Sequence, residues 1–215
     1  MARWGMTIDL LRCVACYACQ ISCKQAHFLP PGILWNRLLV GETGKYPMIR
    51  KHAYPVLCNH CKEAACVEVC PTGATTRRED GIVMIDYDKC VGCKYCTIAC
   101  PYQQRTIYED GEQYPGQGLT AYELFGQQFH PYQEGTAVKC DFCMDRIDNG
   151  IAKGLKPGVD WDATPVCVNA CPTKARHFGD LDDPTSEVAR LIKERQGSQL
   201  HPDFGTDPSV YYLIR

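Results

Sequence analysis

Apolar residues in this chain come in short runs broken by cysteine, glycine and proline. Residues 82–86 and 176–178 read as short strands, and 7–9 is a similar β-like run. Residues 35–40 alternate weakly, like a strand. Residues 67–70 and 96–100 read as single helical turns, each stopped by the proline that follows. Asp183-Pro184 reads as an N-cap and a first-turn proline, which predicts a helix from about 184 to 196, ended by Gly197. The apolar finish, 210–214, fits either an edge strand on this chain or an arm gripping another subunit. The arm is preferred, because a terminus this apolar needs a partner. No apolar run is long enough to span a bilayer as a helix.

A chain of 215 residues allows one large domain or two small ones. Hydrophobic content is 45%, yet a core built from such short runs is thin. Sixteen cysteines supply the missing constraint if they hold metal, since metal binding is coupled to folding. The formal net charge of −2 counts thiols as neutral, and ligating thiolates make the balance more acidic. Basic residues are scattered, and Arg50-Lys51 and Arg77-Arg78 are too short to form a nucleic-acid patch. The first eleven residues lack a basic start followed by an apolar stretch, and no twin-arginine pair is present. The expectation is therefore a chain without its own export address, which leaves export on an address-bearing partner open.

The cysteines fall into four groups: Cys13, Cys16, Cys19 and Cys23; Cys58, Cys61, Cys66 and Cys70; Cys90, Cys93, Cys96 and Cys100; Cys140, Cys143, Cys167 and Cys171. The last three groups end at Cys-Pro. The first and third read C-x2-C-x2-C-x3-C, the spacing of a bacterial-ferredoxin [4Fe–4S] site. Disulfides suit secreted chains and nothing addresses this one for secretion. The fourth group, taken alone, suits structural zinc as well as a cluster. The other three do not suit zinc. In a two-cluster site the fourth cysteine serves the neighbouring cluster, so the groups must pair, and that draws the fourth group in.

An internal repeat sets the pairing. Residues 7–13 align on 84–90, with Ile-Asp in the same register (Ile8-Asp9, Ile85-Asp86). Cys70-Pro71-Thr72-Gly73-Ala74 echoes Cys171-Pro172-Thr173-Lys174-Ala175. The expected fold is α+β, with two interleaved ferredoxin-like dicluster units, short strands, short helices and long irregular inserts. The inner unit is 58–101. The outer is 1–57 plus 138–183, with insert 24–57. Residues 102–137 form a further insert, and 184–215 a C-terminal helix and tail. Crossed ligation gives four [4Fe–4S] clusters: Cys13, Cys16, Cys19 with Cys171; Cys58, Cys61, Cys66 with Cys100; Cys90, Cys93, Cys96 with Cys70; Cys140, Cys143, Cys167 with Cys23.

Inserts span residues 24–57, 102–139 and 144–166. The second carries Tyr102, Tyr108, Tyr114, Tyr122, Phe125, Phe129 and Tyr132, too many aromatics for disorder. It reads as partner-contact surface, with a cap shielding the clusters as the alternative. His60, between two ligands, reads as a hydrogen-bond donor or packing group near a cluster. Histidines 27, 52, 130, 177 and 201 have no second ligand at metal spacing. Lys24, Lys62, Lys89, Lys94 and Lys139 flank ligands and either raise a cluster's potential or are solvated. No glycine-rich phosphate loop or nucleophile signature appears, so no catalytic residue is assigned.

The order of the groups resembles that of the iron–sulfur subunits of the molybdopterin oxidoreductase superfamily, of the dimethyl sulfoxide, polysulfide and arsenate reductase type. The likeness is carried by Ile8-Asp9 before Cys13, Leu57-Cys58-Asn59-His60-Cys61, Cys70-Pro71-Thr72-Gly73-Ala74, Lys139-Cys140-Asp141-Phe142-Cys143, Gly179-Asp180-Leu181-Asp182-Asp183-Pro184, and by Cys23-Lys24 in place of Cys-Pro. In some relatives a fourth-group cysteine is tryptophan; here all are cysteine, which implies four [4Fe–4S] clusters. The resemblance implies a non-catalytic electron-transfer subunit serving a large catalytic subunit that holds a molybdenum or tungsten bis-pterin cofactor. The cluster of Cys13, Cys16, Cys19 and Cys171 faces that subunit, and the far end meets a quinone-linked membrane subunit or a soluble carrier. It implies a place peripheral to the membrane, periplasmic by co-export with a signal-bearing partner, with the cytoplasm as the alternative. A free polyferredoxin shuttle and a cluster subunit of a transhydroxylase or dehydroxylase remain as alternatives.

Overall fold

The computed structural model describes residues 2–109, 114, 116 and 118–214. Part of the aromatic insert, residues 110–113, 115 and 117, lies outside them. The fold is α+β. In chain order its elements are β1 (Trp4–Asp9), α1 (Ala18–Ala26), β2 (Asn36–Thr43), β3 (Arg50–Leu57), α2 (Ala65–Glu68), β4 (Thr75–Arg77), β5 (Val83–Ile85), α3 (Tyr95–Ala99), β6 (Thr106–Ile107), α4 (Ala121–Phe129), β7 (Ala137–Val138), α5 (Met144–Ala152), α6 (Val166–Asn169), β8 (Arg176–Asp180), α7 (Glu187–Glu194), β9 (Ser198–Gln199) and β10 (Val210–Leu213).

The main sheet runs β8-β1-β10-β9, with β1 antiparallel to β8 and parallel to β10. Every residue of β1 is buried. Paired on both edges and covered on both faces, such a strand needs no polar-out alternation. Met6 and Ile8 are fully buried, and each contributes about 2–3 kcal/mol of burial. They share a core with Trp4, Phe142, Ile147, Phe178, Val210 and Tyr212.

The tail corrects the sequence expectation: it is neither an edge strand nor an arm. β10 lies between β1 and β9, with Val210 and Leu213 fully buried. Its approach is fixed by the second cysteine group. Ser209 donates its N–H to Asn59 O at 2.8 Å and its hydroxyl to His60 O at 3.0 Å. The partner that its apolar residues require is this chain's own core.

The helix near the end is shorter than the predicted 184–196. Ser186, not Asp183, caps α7, its Oγ accepting from Ala189 N at 3.2 Å. Asp183 instead closes a turn by accepting from Thr185 N at 2.8 Å. At the other end Gln196, not Gly197, is left-handed (φ 49), while Gly197 N–H reaches back to Ile192 O at 2.9 Å. That is a Schellman closure.

The hairpin β4–β5 lies between the second and third cysteine groups, and it repeats the β8–β1 pair. Thr75 pairs with Ile85 as Arg176 pairs with Ile8. Asp86 N–H bonds Ala74 O at 2.8 Å as Asp9 N–H bonds Ala175 O at 2.7 Å. Two further pairs, β2–β3 and β6–β7, fall in the inserts. β2–β3 is buried at its base and bare at its tip, where Tyr46 is 89% and Met48 76% exposed.

Candidate metal centres

All sixteen cysteines are free thiols. One cavity is lined by Cys58, Cys61, Cys66 and Cys100, together with Asn59 and Arg105. Another is lined by Cys13, Cys16, Cys19 and Cys171. Cys23 is buried against Cys140, Cys143 and Cys167, and these neighbours act on its thiol after burial itself, pushing it well up. Cys96 lies near Cys90 and Cys93. Cys70 follows α2, which packs on the Cys96 helix α3.

Local backbone explains how each group turns its thiols inward. In the first C-x2-C loop of each of the four groups the residue before the second cysteine is left-handed: Ala15 (φ 56), His60 (φ 43), Gly92 (φ 65) and Phe142 (φ 59). For the non-glycine three this costs about 1 kcal/mol each. Metal ligation at each loop would offset that cost. At Gly92 no side chain fits, because a Cβ there would stand 2.2 Å from Gly135 O. Helix α1 then places Cys19 and Cys23 one turn apart.

Backbone N–H groups point at the sulfurs. Thr75 donates to Cys70 Sγ (3.4 Å), Ala137 to Cys90 (3.4 Å), Gln104 to Cys100 (3.5 Å) and Ala175 to Cys171 (3.2 Å). Burial raises the Cys70 thiol, but hydrogen bonds from Thr75 and Thr72 outweigh it and bring it down to about 7. Cys61 goes the other way: burial, with Cys58, Cys66 and Cys100 behind it, pushes it up to about 12. Protons must therefore leave these cavities when metal enters.

The cavities suit a sulfide-containing cluster. The donor set is thiol throughout. The buried Asn59 amide lines the cavity of Cys58, Cys61, Cys66 and Cys100 and has no partner among the described residues. A cluster sulfide would accept from it.

Exposure grades across the sets. Cys23, Cys140, Cys143 and Cys167 are all buried, whereas Cys16 and Cys93 are exposed. Apolar side chains stand bare around both exposed cysteines: Leu11 (70%) and Val14 (62%) near Cys16, Val91 (68%) and Ile98 (81%) near Cys93.

His60 is fully buried, stacks on Phe142 at 3.8 Å and accepts at Nδ1 from Val83 N at 3.0 Å. His27, set aside in the sequence for lack of a second ligand, lies with Nε2 3.2 Å from Cys143 Sγ. Its grouping with Asp141 and Cys143 overlaps the buried thiol set and makes no separate centre. Of the flanking lysines, Lys24 reaches Pro30 O (2.6 Å), Lys89 pairs with Asp86 (2.8 Å) and Lys94 with Glu109 (3.4 Å). Lys62 meets the tail through its backbone N–H, on Asp207 O. Lys139 is buried, bonding Val83 O and Cys140 O.

Two arginines escaped the sequence reading. Arg105 is 6% exposed and Arg176 3%. Arg105 donates to Cys66 Sγ at 3.1 Å and also meets Cys96. Arg176 donates to Asn36 Oδ1 at 3.0 Å and meets Cys167. A signal was present: each follows a Cys-Pro by the same interval, Cys100 to Arg105 and Cys171 to Arg176.

Two tyrosines of the aromatic insert close over the end of α1: Tyr122 OH bonds Lys24 O and Tyr132 OH bonds His27 O, both at 2.5 Å. Leu124, Phe125 and Phe129 of α4 remain exposed.

A family model described as a 4Fe-4S dicluster domain matches residues 49–114. The chain is 39% identical to a sulfite dehydrogenase subunit of Allochromatium vinosum, over 100% of this chain and 84% of that one. It is 37% identical to a selenate reductase subunit of Mesobacillus selenatarsenatis, over 98% and 72%. It is 36% identical to the arsenate respiratory reductase iron-sulfur subunit ArrB of a Shewanella species, over 98% and 96%.

Proposed function

The chain belongs to the iron–sulfur electron-transfer subunits of molybdopterin oxidoreductases, and from that premise we propose a specific circuit of four [4Fe–4S] clusters. Four thiol sets hold them: Cys13, Cys16, Cys19 and Cys171; Cys140, Cys143, Cys167 and Cys23; Cys58, Cys61, Cys66 and Cys100; Cys90, Cys93, Cys96 and Cys70. When bound, the clusters supply one-electron storage and transfer, and the chain itself carries out no bond chemistry. The sets belong to two interleaved units, 1–57 with 138–183 around 58–101. The repeated strand register at Ile8 and Ile85 supports that division.

The sets adjoin in the order just given. Cys19 acts on Cys167, Cys58 acts on Cys140, and Arg105 reaches from Cys66 to Cys96. The observation that carries the reading is the grading of exposure. The wholly buried set of Cys23, Cys140, Cys143 and Cys167 lies inside the series, and the set of Cys58, Cys61, Cys66 and Cys100 is half-buried. The exposed cysteines, Cys16 and Cys93, fall in the first and last sets, each with bare apolar residues beside it in the chain. A relay needs contact at both ends and dryness between them. The Cys16 end faces a large catalytic subunit carrying a molybdenum or tungsten bis-pterin cofactor. The Cys93 end faces a quinone-linked membrane subunit or a soluble carrier. The bare face of α4 is a further contact for that assembly, which is periplasmic through co-export with a signal-bearing partner.

The test is an anaerobic pull-down of the tagged chain, read by mass spectrometry and metal analysis. The reading expects a large partner with molybdenum or tungsten, and about sixteen irons per chain, as four cubanes require. The same iron with no partner would leave a free shuttle; zinc in place of iron would remove the relay altogether.

A further inference from the structure

The repeat places Arg176 and Thr75 at one position: Arg176 opposite Ile8, Thr75 opposite Ile85. Yet the Thr75 position is not without a guanidinium. Arg105 comes in from another part of the chain and donates to Thr75 Oγ1 at 3.0 Å. Thus each unit buries one guanidinium at the same place, delivered in one case by the strand itself and in the other by a residue thirty positions further on.

The surroundings match as well. Arg176 meets Cys167 of one thiol set and lies close enough to act on Cys13, Cys19 and Cys171 of its neighbour. Arg105 bonds Cys66 Sγ of one set and meets Cys96 of the other. Among the described residues neither is balanced by a carboxylate: the partners that fix them are neutral, Asn36 Oδ1 and Met6 Sδ for Arg176, Thr75 Oγ1 for Arg105. A buried cation without a carboxylate demands another source of negative charge. Lys139, a further buried cation among the described residues, is held by the carbonyl oxygens of Val83 and Cys140.

We propose that Arg105 and Arg176 are the shared counter-charges of the two cluster pairs, each holding up the reduction potential of both clusters beside it. The proposal rests on the four-cluster reading. An electron entering either cluster adds one negative charge beside a guanidinium that stays protonated, so no bond or proton changes hands. Placing one charge between two clusters raises both potentials together.

The experiment is a potentiometric titration of the holo-complex followed by EPR, with iron counted in the same samples. Wild-type iron content and the four signals test the cluster reading alone. Arg105→Gln is expected to keep its iron and to shift two of the four potentials downward, leaving the other two in place. Arg176→Gln is expected to shift the complementary two. Arg105→Lys, which keeps the charge, is expected to restore most of the shift. Full iron with all four potentials unmoved in Arg105→Gln would overturn the proposal. If Arg105→Gln loses iron, the deciding variant is Thr75→Arg with Arg105→Thr, which builds one unit's arrangement into the other. Full iron with wild-type potentials there supports a shared charge. Lost iron there as well overturns it in favour of packing.

Discussion

Residues 58–101 gather eight cysteines within one short stretch, whereas the other eight reach from Cys13 to Cys171. The short stretch is organised by the three-residue strands of β4–β5, with Thr76 and Arg77 exposed. The distant groups are joined by β1, wholly buried between β8 and β10. The difference follows from loop closure. Bringing together segments more than a hundred residues apart costs more entropy than closing a local hairpin, and burial of a central strand offsets it. The tail belongs to that solution, since β10 completes the burial of β1 while its approach clasps the second cysteine group.

The comparison breaks most visibly at the thiols. Cys143→Ser, in the wholly buried set, is expected to cost more than one cluster and to destabilise the fold. Cys93→Ser, at the exposed end, is expected to lose about a quarter of the iron, one cubane of four. Iron per folded chain and anaerobic thermal melting check both.

The equivalent loop residues Gly92 and Ala15 sharpen it further. Gly92→Val meets Gly135 O and a left-handed backbone, so a loss of about 3 kcal/mol or more is expected in anaerobic denaturant titration.

His60 and Phe142 hold equivalent loop positions and stack on each other, so the short stretch carries a titratable ring where the long one does not. Burial, helped by Lys139 and Arg105, holds His60 well below the usual histidine value. A depressed pKa gives stability that is present above the ordinary value and lost as pH falls through it. As pH falls below about 6.5 the wild type is expected to lose stability that His60→Phe does not. Comparing the two slopes of stability against pH decides it.

The smallest effect is expected at Ala15→Gly. Relief of the left-handed strain, set against the chain entropy of glycine, predicts a gain of up to about 1 kcal/mol, read in the same denaturant titration.

Cysteine spacing and the Ile-Asp register were legible because metal ligation and strand pairing both repeat at fixed intervals. The inserts were not. Helix α5 was hidden by Gly150, which looks like a breaker but lets Ala163 approach to where a Cβ would stand at 2.3 Å. Helix α4 did carry a signal, the capping box of Thr120 and Glu123, in a stretch otherwise rich in Tyr, Gln and Gly. Strand β3 contains Pro55, opposite Leu38, which reads against a strand. Arg105 and Arg176 could be placed only by register, because their meaning lies in which cysteines they stand between. The tail misled because apolarity indicates that a segment is covered, and says nothing of what covers it.

The most direct test of the relay is native mass spectrometry of the anaerobically purified chain. The account predicts a mass higher than the polypeptide by four [4Fe–4S] clusters, less the sixteen thiol protons displaced on ligation. A mass corresponding to bound zinc, or a fully folded chain that holds fewer than four clusters, would contradict it.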